Sequence, residues 1–565
     1  MNIELILLLA LVGFFCKPLG LHIARVLDVK AKTGLDVAIK PLERGIYRCC
    51  GIDPYQEQNW KEYLWALLSF SLLSLVGTFA LLLLQSYLPF NPQNFSAPSW
   101  DLAFNTAISF MTNTDWQNYG GESTLSYFSQ MVGLTVQNFL SPAVGLAVAA
   151  ALVRSIARSE ETTIGNFWVD LVRICLYLLL PFALITAPFF LWTGVPQNFQ
   201  EYTKVTTLEG EAQIIAQGPV ASQEAIKMIG SNGGGFMNVN SAHPYENPTP
   251  LSNFIQIFLI LLIPAAQFYY YGHSVEDTRH GWCIIAAIAI LFVTASLGVA
   301  YAESEGNPLL AKMGITGGNW EGKEVRMGIF PSSLFACATT AVSCGAVNCM
   351  HDSLLPISSL APFLFMEIDE VIFGGVGAGL YSLILYIILA IFVSGLIIGR
   401  TPEYLGKKIA IFDVKMTMIA ILSYVLLVHG GTVIALSTEW GRHGIENSGP
   451  HGFSEILYAF SSCAANNGSA FAGLSADTVN YNLSLAIAML LGRFSIIIPV
   501  IALAGSFVRK KIVPKSAATF PISSRIFISL LIGVIILLGA LTFLPALTMG
   551  PIIEQFEMLR GMFSP

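Results

Sequence analysis

Ten runs of about 20 predominantly apolar residues leave this chain few ways to fold. They cover roughly residues 3–26, 63–88, 130–153, 171–193, 253–271, 282–302, 370–399, 415–437, 483–507 and 524–546. In lipid, a segment of that length must satisfy its own backbone N–H and C=O groups, which a helix does without neighbours. Charged residues are 12% of the chain, against about 25% in a soluble domain. A net charge of −7 gives no support to a nucleic-acid surface, which needs basic patches. Nine cysteines without a CxxC pair argue against a structural metal or a disulfide framework. Lys17 and Arg25 follow the first apolar run, whereas a cleaved signal has its basic residues in front. That segment is expected to remain as a helix with its N-terminus outside.

Four other apolar segments, roughly 102–111, 222–230, 332–342 and 455–465, are too short to cross. They rise about 14–17 Å, half the hydrocarbon thickness, and each lies between two full spans. They read as re-entrant half-helices. Loops 25–62, 154–167, 272–281, 399–415 and 508–525 hold 19 of the 29 lysines and arginines, so these loops belong in the cytoplasm and the half-helices outside. The expected fold is an all-α integral membrane protein. Ten transmembrane helices build four pseudo-symmetric span–pore half-helix–span units around one pore. The units are 63–165, 166–281, 282–413 (with a broken helix) and 414–510. Residues 1–62 add an N-terminal span and cytoplasmic loop, and residues 511–565 a C-terminal span.

Each half-helix ends in a stretch rich in Gly, Asn, Ser and Thr, and the stretches, centred at 113, 232, 344 and 467, recur every 119, 112 and 123 residues. A half-helix entering from outside brings about half a negative charge to the membrane centre at its C-terminus. Four such ends favour a cation. Asp101, Ser222, Ser332 and Ser454 stand at or near the outer starts and are residue types that cap helices. Gly and Asn tolerate left-handed backbone, which lets successive carbonyls face one axis and replace the water shell of a potassium ion. The first stretch lacks glycine, so Asn113 is expected to take the unusual dihedral. As read, no carboxylate lies in these stretches, which disfavours calcium. Any one of them alone reads equally well as an ordinary loop; four at matching positions do not.

The segments NTAISFMTNTDWQNYGGESTLSYFSQM, GPVASQEAIKMIGSNGGGFMNVNSAHPYENPT, SSLFACATTAVSCGAVNCMHDS, IGRTPEYLGKKI and GPHGFSEILYAFSSCAANNGSAFAGLSA resemble the A subunit of the Kdp potassium-transporting ATPases. The likeness extends over essentially the whole chain. It implies K+ as the transported ion, coordinated by backbone carbonyls of Thr112, Asn113 and Thr114, of Ser231, Asn232 and Gly233, of Ser343, Cys344 and Gly345, and of Asn466, Asn467 and Gly468. It implies a multi-pass protein of the bacterial inner membrane that binds no nucleotide and is not catalytic by itself. Its partners would be a P-type ATPase catalytic subunit (KdpB-like) and a small accessory subunit (KdpC-like), with a single-span KdpF-like peptide as a further candidate, besides the lipid bilayer. Within the family, Ser231 and Asp369 stand where Thr and Gly are more usual. A self-sufficient Trk- or Ktr-like channel or symporter is the alternative.

Arg493 lies inside a span, where a charge usually faces protein interior or an aqueous cavity. The resemblance implies that it sits below the filter and steers the ion. Gly374, Gly375 and Gly377 interrupt the seventh span. Small residues also serve close helix packing, but an unwound loop under the filter is the expected form. Asp369 and Glu370, just before that run, either attract the ion or mark an interface. Arg400, Lys407 and Lys408 are expected to anchor the cytoplasmic end of that span, with gating as the alternative for Arg400. Gln117, with Trp116 and Tyr119, is expected to shape the outer mouth. His351-Asp352 has the look of a catalytic pair but no accompanying nucleophile, and His243 reads as structural. The stretch Ala31-Lys32-Thr33-Gly34 places alanine where an aspartyl phosphate would need a carboxylate.

Overall fold

The structure, a computed structural model, describes residues 3–369, 371–399, 401–514 and 520–561. Glu370 and Arg400 lie outside the described residues. Ten helices are long and apolar enough to cross a membrane. The spans and half-helices run α1 (Ile3–Val26), α2 (Trp60–Leu83), α3 (Trp100–Met111), α4 (Ser129–Ala157), α5 (Phe167–Thr193), α6 (Val220–Ile229), α7 (Pro250–Ser274), α8 (Thr278–Glu305), α9 (Ile329–Ala341), α10 (Pro356–Glu367), α11 (Ala378–Ile398), α12 (Ile411–Ser437), α13 (Gly449–Ala465), α14 (Val479–Phe507) and α15 (Arg525–Leu547).

Burial sorts the spans into two shells. The second spans of the four units, α4, α7, α11 and α14, are 83%, 78%, 61% and 67% buried over their apolar windows, and the first spans, α2, α5, α8 and α12, only 28%, 39%, 39% and 33%. The second spans therefore form an inner ring and the first spans face lipid, while α1 packs on α7 and α15 on α8 and α11. The inner helices share a further trait. Pro142, Pro264 and Pro499 interrupt α4, α7 and α14. In the third unit the span breaks outright.

What differs from the expected span over 370–399, interrupted at its glycines, is where the element begins. The chain enters the membrane earlier, as α10, leaves the helix after Glu367, and resumes as α11. Left-handed backbone at Asp369, Phe373, Gly374 and Gly377 makes the turn. Its polar backbone is satisfied by protein: Gly374 N–H donates to the Ala341 carbonyl (2.8 Å) and Gly377 N–H to Gln267 Oε1 (2.7 Å). Unwound backbone at membrane depth requires such partners.

The half-helices begin earlier than the candidate caps suggest. Ser99, not Asp101, caps α3 through the Leu102 N–H. Ser222, Ser332 and Ser454 lie inside α6, α9 and α13. At the end of the spans away from the half-helices, Lys407 does more than anchor its own span. Its buried ammonium donates to the carbonyls of Ser155 (2.7 Å), Phe507 (2.8 Å) and Arg158, tying together the open C-terminal ends of α4 and α14.

Candidate cation filter

The four half-helix ends share one local geometry. The residue that leaves each helix turns left-handed: Asn113 (φ 66°), Ser231 (47°), Ser343 (52°) and Asn466 (59°). The next residue donates its N–H five positions back, Thr114 to Ser109 (2.9 Å), Asn232 to Lys227 (3.0 Å), Cys344 to Thr339 (3.1 Å) and Asn467 to Ser462 (2.9 Å). This common bond fixes the register of the strands. In the first strand the members matching Ser231-Asn232-Gly233 are Asn113-Thr114-Asp115, one residue later than the sequence reading. Thr112 is the cap of α3, and its hydroxyl returns to the Ile108 and Ser109 carbonyls.

The strands are also tied to one another in a closed ring. Asn113 Nδ2 donates to the Ser231 carbonyl (3.3 Å), and Asn232 Nδ2 to Asn113 Oδ1 (2.8 Å). Gly345 N–H donates to the Asn232 carbonyl (2.6 Å), Asn467 Nδ2 to the Thr339 carbonyl (3.1 Å), and Asn466 Nδ2 to Thr114 Oγ1 (2.9 Å). Strand one thus holds two, two holds three, three holds four, and four holds one. Some carbonyls of these strands are engaged within the protein, since Thr339 Oγ1 also donates to the Cys344 carbonyl.

Above the ring opens a vestibule of about 990 Å³. Gln117 spans its wall, accepting from the Gly235 N–H (2.8 Å) and donating to the Gly235 carbonyl (3.2 Å). The pair His351-Asp352 is split. Buried His351 hydrogen bonds to Tyr458 Oη through Nδ1 (2.6 Å), while Asp352 pairs with His451. His451 sits between Asp352 and Glu554, at 2.8 Å from each. Burial opposes its charge, yet hydrogen bonds donated to the two carboxylates push its pKa up to about 10. With both ring nitrogens donating, it has no lone pair for a metal, although the Asp352, His451 and Glu455 ligand atoms lie close together.

Below the ring, a cavity of about 10 Å³ is lined by Ser343, Asp369, Ser382, Asn466 and Arg493, room for one water-sized particle. Arg493 is buried and donates to the Ser141 carbonyl (3.2 Å). The 371–377 stretch closes against the same region. A Cβ on Gly375 would stand 2.8 Å from the Ser343 Cβ, and one on Gly377 2.0 Å from the Gly145 carbonyl carbon. Glycine is thus required at both for the loop to approach strand three and α4.

The sequence reading passed over Lys227. This buried ammonium, on α6 directly before the second strand, pairs with Glu224 Oε2 (2.6 Å) and Glu246 Oε2 (2.7 Å). A Glu and a Lys at i, i+3 inside a ten-residue half-helix was the available signal, because charges at that depth need partners.

Four span–pore–span units around one axis define a class of membrane fold, and a solved structure shares it. The potassium transporter TrkH from Vibrio parahaemolyticus has the same fold over 88% of this chain and 97% of its own, with a TM-score of 0.51 at 14% identity. Family comparison goes further: residues 6–556 match the KdpA family, the potassium-transporting ATPase A subunit. A potassium-transporting ATPase potassium-binding subunit from Methylobacterium nodulans is 54% identical over 546 residues, which cover 96% of this chain and 95% of the relative. The namesake subunit from Solibacter usitatus is 51% identical over 559 residues, covering 99% and 98%. The chain belongs to the KdpA family.

Proposed function

We propose that the chain takes up K+ from the outer side through the four-strand ring and delivers it within the membrane to a P-type ATPase subunit. The closed circle of hydrogen bonds between the four half-helix ends carries this reading. It holds four negative dipole ends and their carbonyls around one axis, which is what a dehydrated monovalent cation requires. Carbonyls that now accept from protein, such as those of Asn232 and Cys344, would turn to the ion when it enters. Straight descent is opposed by the positive charge of Arg493 and by the 371–377 stretch with Gly374, Gly375 and Gly377. The ion would leave sideways through the inner shell.

Ala31 stands where an aspartyl phosphate would need its carboxylate, so energy conversion falls to a partner in this reading. Each tenfold uphill step costs about 1.4 kcal/mol, and an inside-negative potential returns about 2.3 kcal/mol per 100 mV. Uptake against a steeper gradient needs an ATP-hydrolysing partner, here a KdpB-like subunit with a KdpC-like accessory chain, in a bacterial inner membrane. A KdpF-like peptide is a further partner in this reading. Extracted in mild detergent, the chain is expected to co-elute with an ATPase whose hydrolysis is stimulated by K+. Elution without any such partner overturns the coupling. Within that complex, Arg493→Met is expected to lower potassium uptake by about tenfold or more, a barrier change of about 1.4 kcal/mol. Uptake at the wild-type rate would leave Arg493 as a packing residue.

A further inference from the structure

The ring is four-fold in backbone but not in chemistry. The shared i to i−5 bond sets Asp115 in register with Gly233, Gly345 and Gly468. At the three glycines, a Cβ would point at the next strand: from Gly233 at Gly345 Cα (2.3 Å), from Gly345 at the Gly468 carbonyl carbon (2.8 Å), from Gly468 at the Thr114 carbonyl oxygen (1.7 Å). The sense of rotation is the same each time. It directs the Asp115 side chain from strand one towards strand two, where Asn232 is its polar neighbour. A carboxylate therefore occupies the one gap in the circle that glycine does not keep closed.

That carboxylate is unsatisfied. Asp115 is 1% exposed and holds left-handed backbone (φ 57°). Both its oxygens are buried, and the donor beside them, Asn232 Nδ2, already gives its hydrogens to Asn113 Oδ1 (2.8 Å) and Ser141 Oγ (3.3 Å). The nearby cations are committed elsewhere: Lys227 to Glu224 and Glu246, Arg493 to the Ser141 carbonyl. A buried charge with no donor is strongly disfavoured, and a bound cation removes the penalty. Asp115 also lines the outer vestibule together with Gly234, Gly345 and Gly468, so an arriving ion meets it before the deeper carbonyls.

We propose that the Asp115 carboxylate is a direct anionic ligand for a monovalent alkali cation at the outer end of the ring, setting the affinity with which K+ enters. This rests on the filter reading and adds a fixed charge to carbonyl coordination. The test is equilibrium binding of potassium chloride to the purified complex at constant ionic strength, balanced with N-methylglucamine chloride. Asp115→Asn keeps the shape and removes the charge, and Asp115→Gly completes the glycine circle should the first variant fail to assemble. Either is expected to weaken potassium binding about tenfold or more, since a carboxylate in contact with the ion acts at short range in a low-dielectric site. Gly468→Ala, a lesion of the ring itself, runs beside them. Wild-type affinity in Asp115→Asn or Asp115→Gly, with binding lost in Gly468→Ala, overturns the ligand role and leaves the filter standing. Unchanged affinity in all three removes the filter reading and this inference together.

Discussion

Gly468→Ala is expected to weaken potassium binding about 100-fold, about 2.7 kcal/mol, in a complex that still assembles. Two independent effects act at this position. Its backbone lies at φ 92°, a conformation that L side chains rarely adopt, and a Cβ there would stand 1.7 Å from the Thr114 carbonyl oxygen and 2.9 Å from its carbon. The methyl cannot be accommodated by moving a flexible side chain, because both obstacles are backbone. Strand four must retreat from strand one, and with it the Asn466 amide that holds Thr114. Left-handed backbone alone costs a substituted residue about 1–2 kcal/mol, and the displaced carbonyls add lost coordination. Gly77→Ala on lipid-facing α2, where nothing lies within 4 Å, serves as the control and is expected to bind as wild type. Equilibrium potassium binding, repeated against sodium, reads the result. Wild-type affinity and selectivity in Gly468→Ala would dissolve the assignment of these strands as the filter.

What the sequence made legible follows from how strongly lipid constrains a backbone. Apolar runs near 20 residues have essentially one solution, so the spans and their order were readable, and so were the half-helices between them. Besides Lys227, three features escaped. The helix α10, PISSLAPFLFME, is only 12 residues and carries Pro356, Pro362 and two serines, so neither its length nor its polarity marks membrane depth. The register of the first strand slipped by one because the other three strands are aligned by their glycines, and Asp115 occupies that place here. Composition cannot reveal a register that is set by a backbone hydrogen bond five residues long. Lys407 was assigned to its own span because proximity in sequence was the only guide. Its partners are helix ends about 100 and 250 residues away, a contact that exists only once α4 and α14 stand side by side.

The largest effect on stability is expected at Lys227. Its ammonium is 1% exposed and neutralises two carboxylates that are as deeply buried as it is, Glu224 at 1% and Glu246 at 0%. Glu246 in turn accepts the Met237 N–H through Oε1 (2.7 Å), and its carbonyl accepts from Gln256 Nε2 (2.9 Å), so the triad pins the chain that leaves the second strand to α7. Replacing both partners of a buried pair by apolar groups can be nearly neutral, but removing one leaves uncompensated charge and costs about 3–5 kcal/mol. Lys227→Met is the severe form, because the methionine fills the volume and strands two negative charges together. One carboxyl must then bind a proton to stay buried. Its pKa in the folded state would exceed that in the unfolded state, so the folded form is favoured at acid pH and loses stability as pH rises. The expected signature is a melting temperature several degrees below wild type near neutral pH, with the gap narrowing towards pH 5. Glu224→Gln added to Lys227→Met removes one of the two stranded charges and is expected to recover part of the loss at neutral pH. Melting curves of the detergent-solubilised complex across pH measure both effects. A Lys227→Met protein as stable as wild type at every pH would show that the triad does not hold the second strand in place.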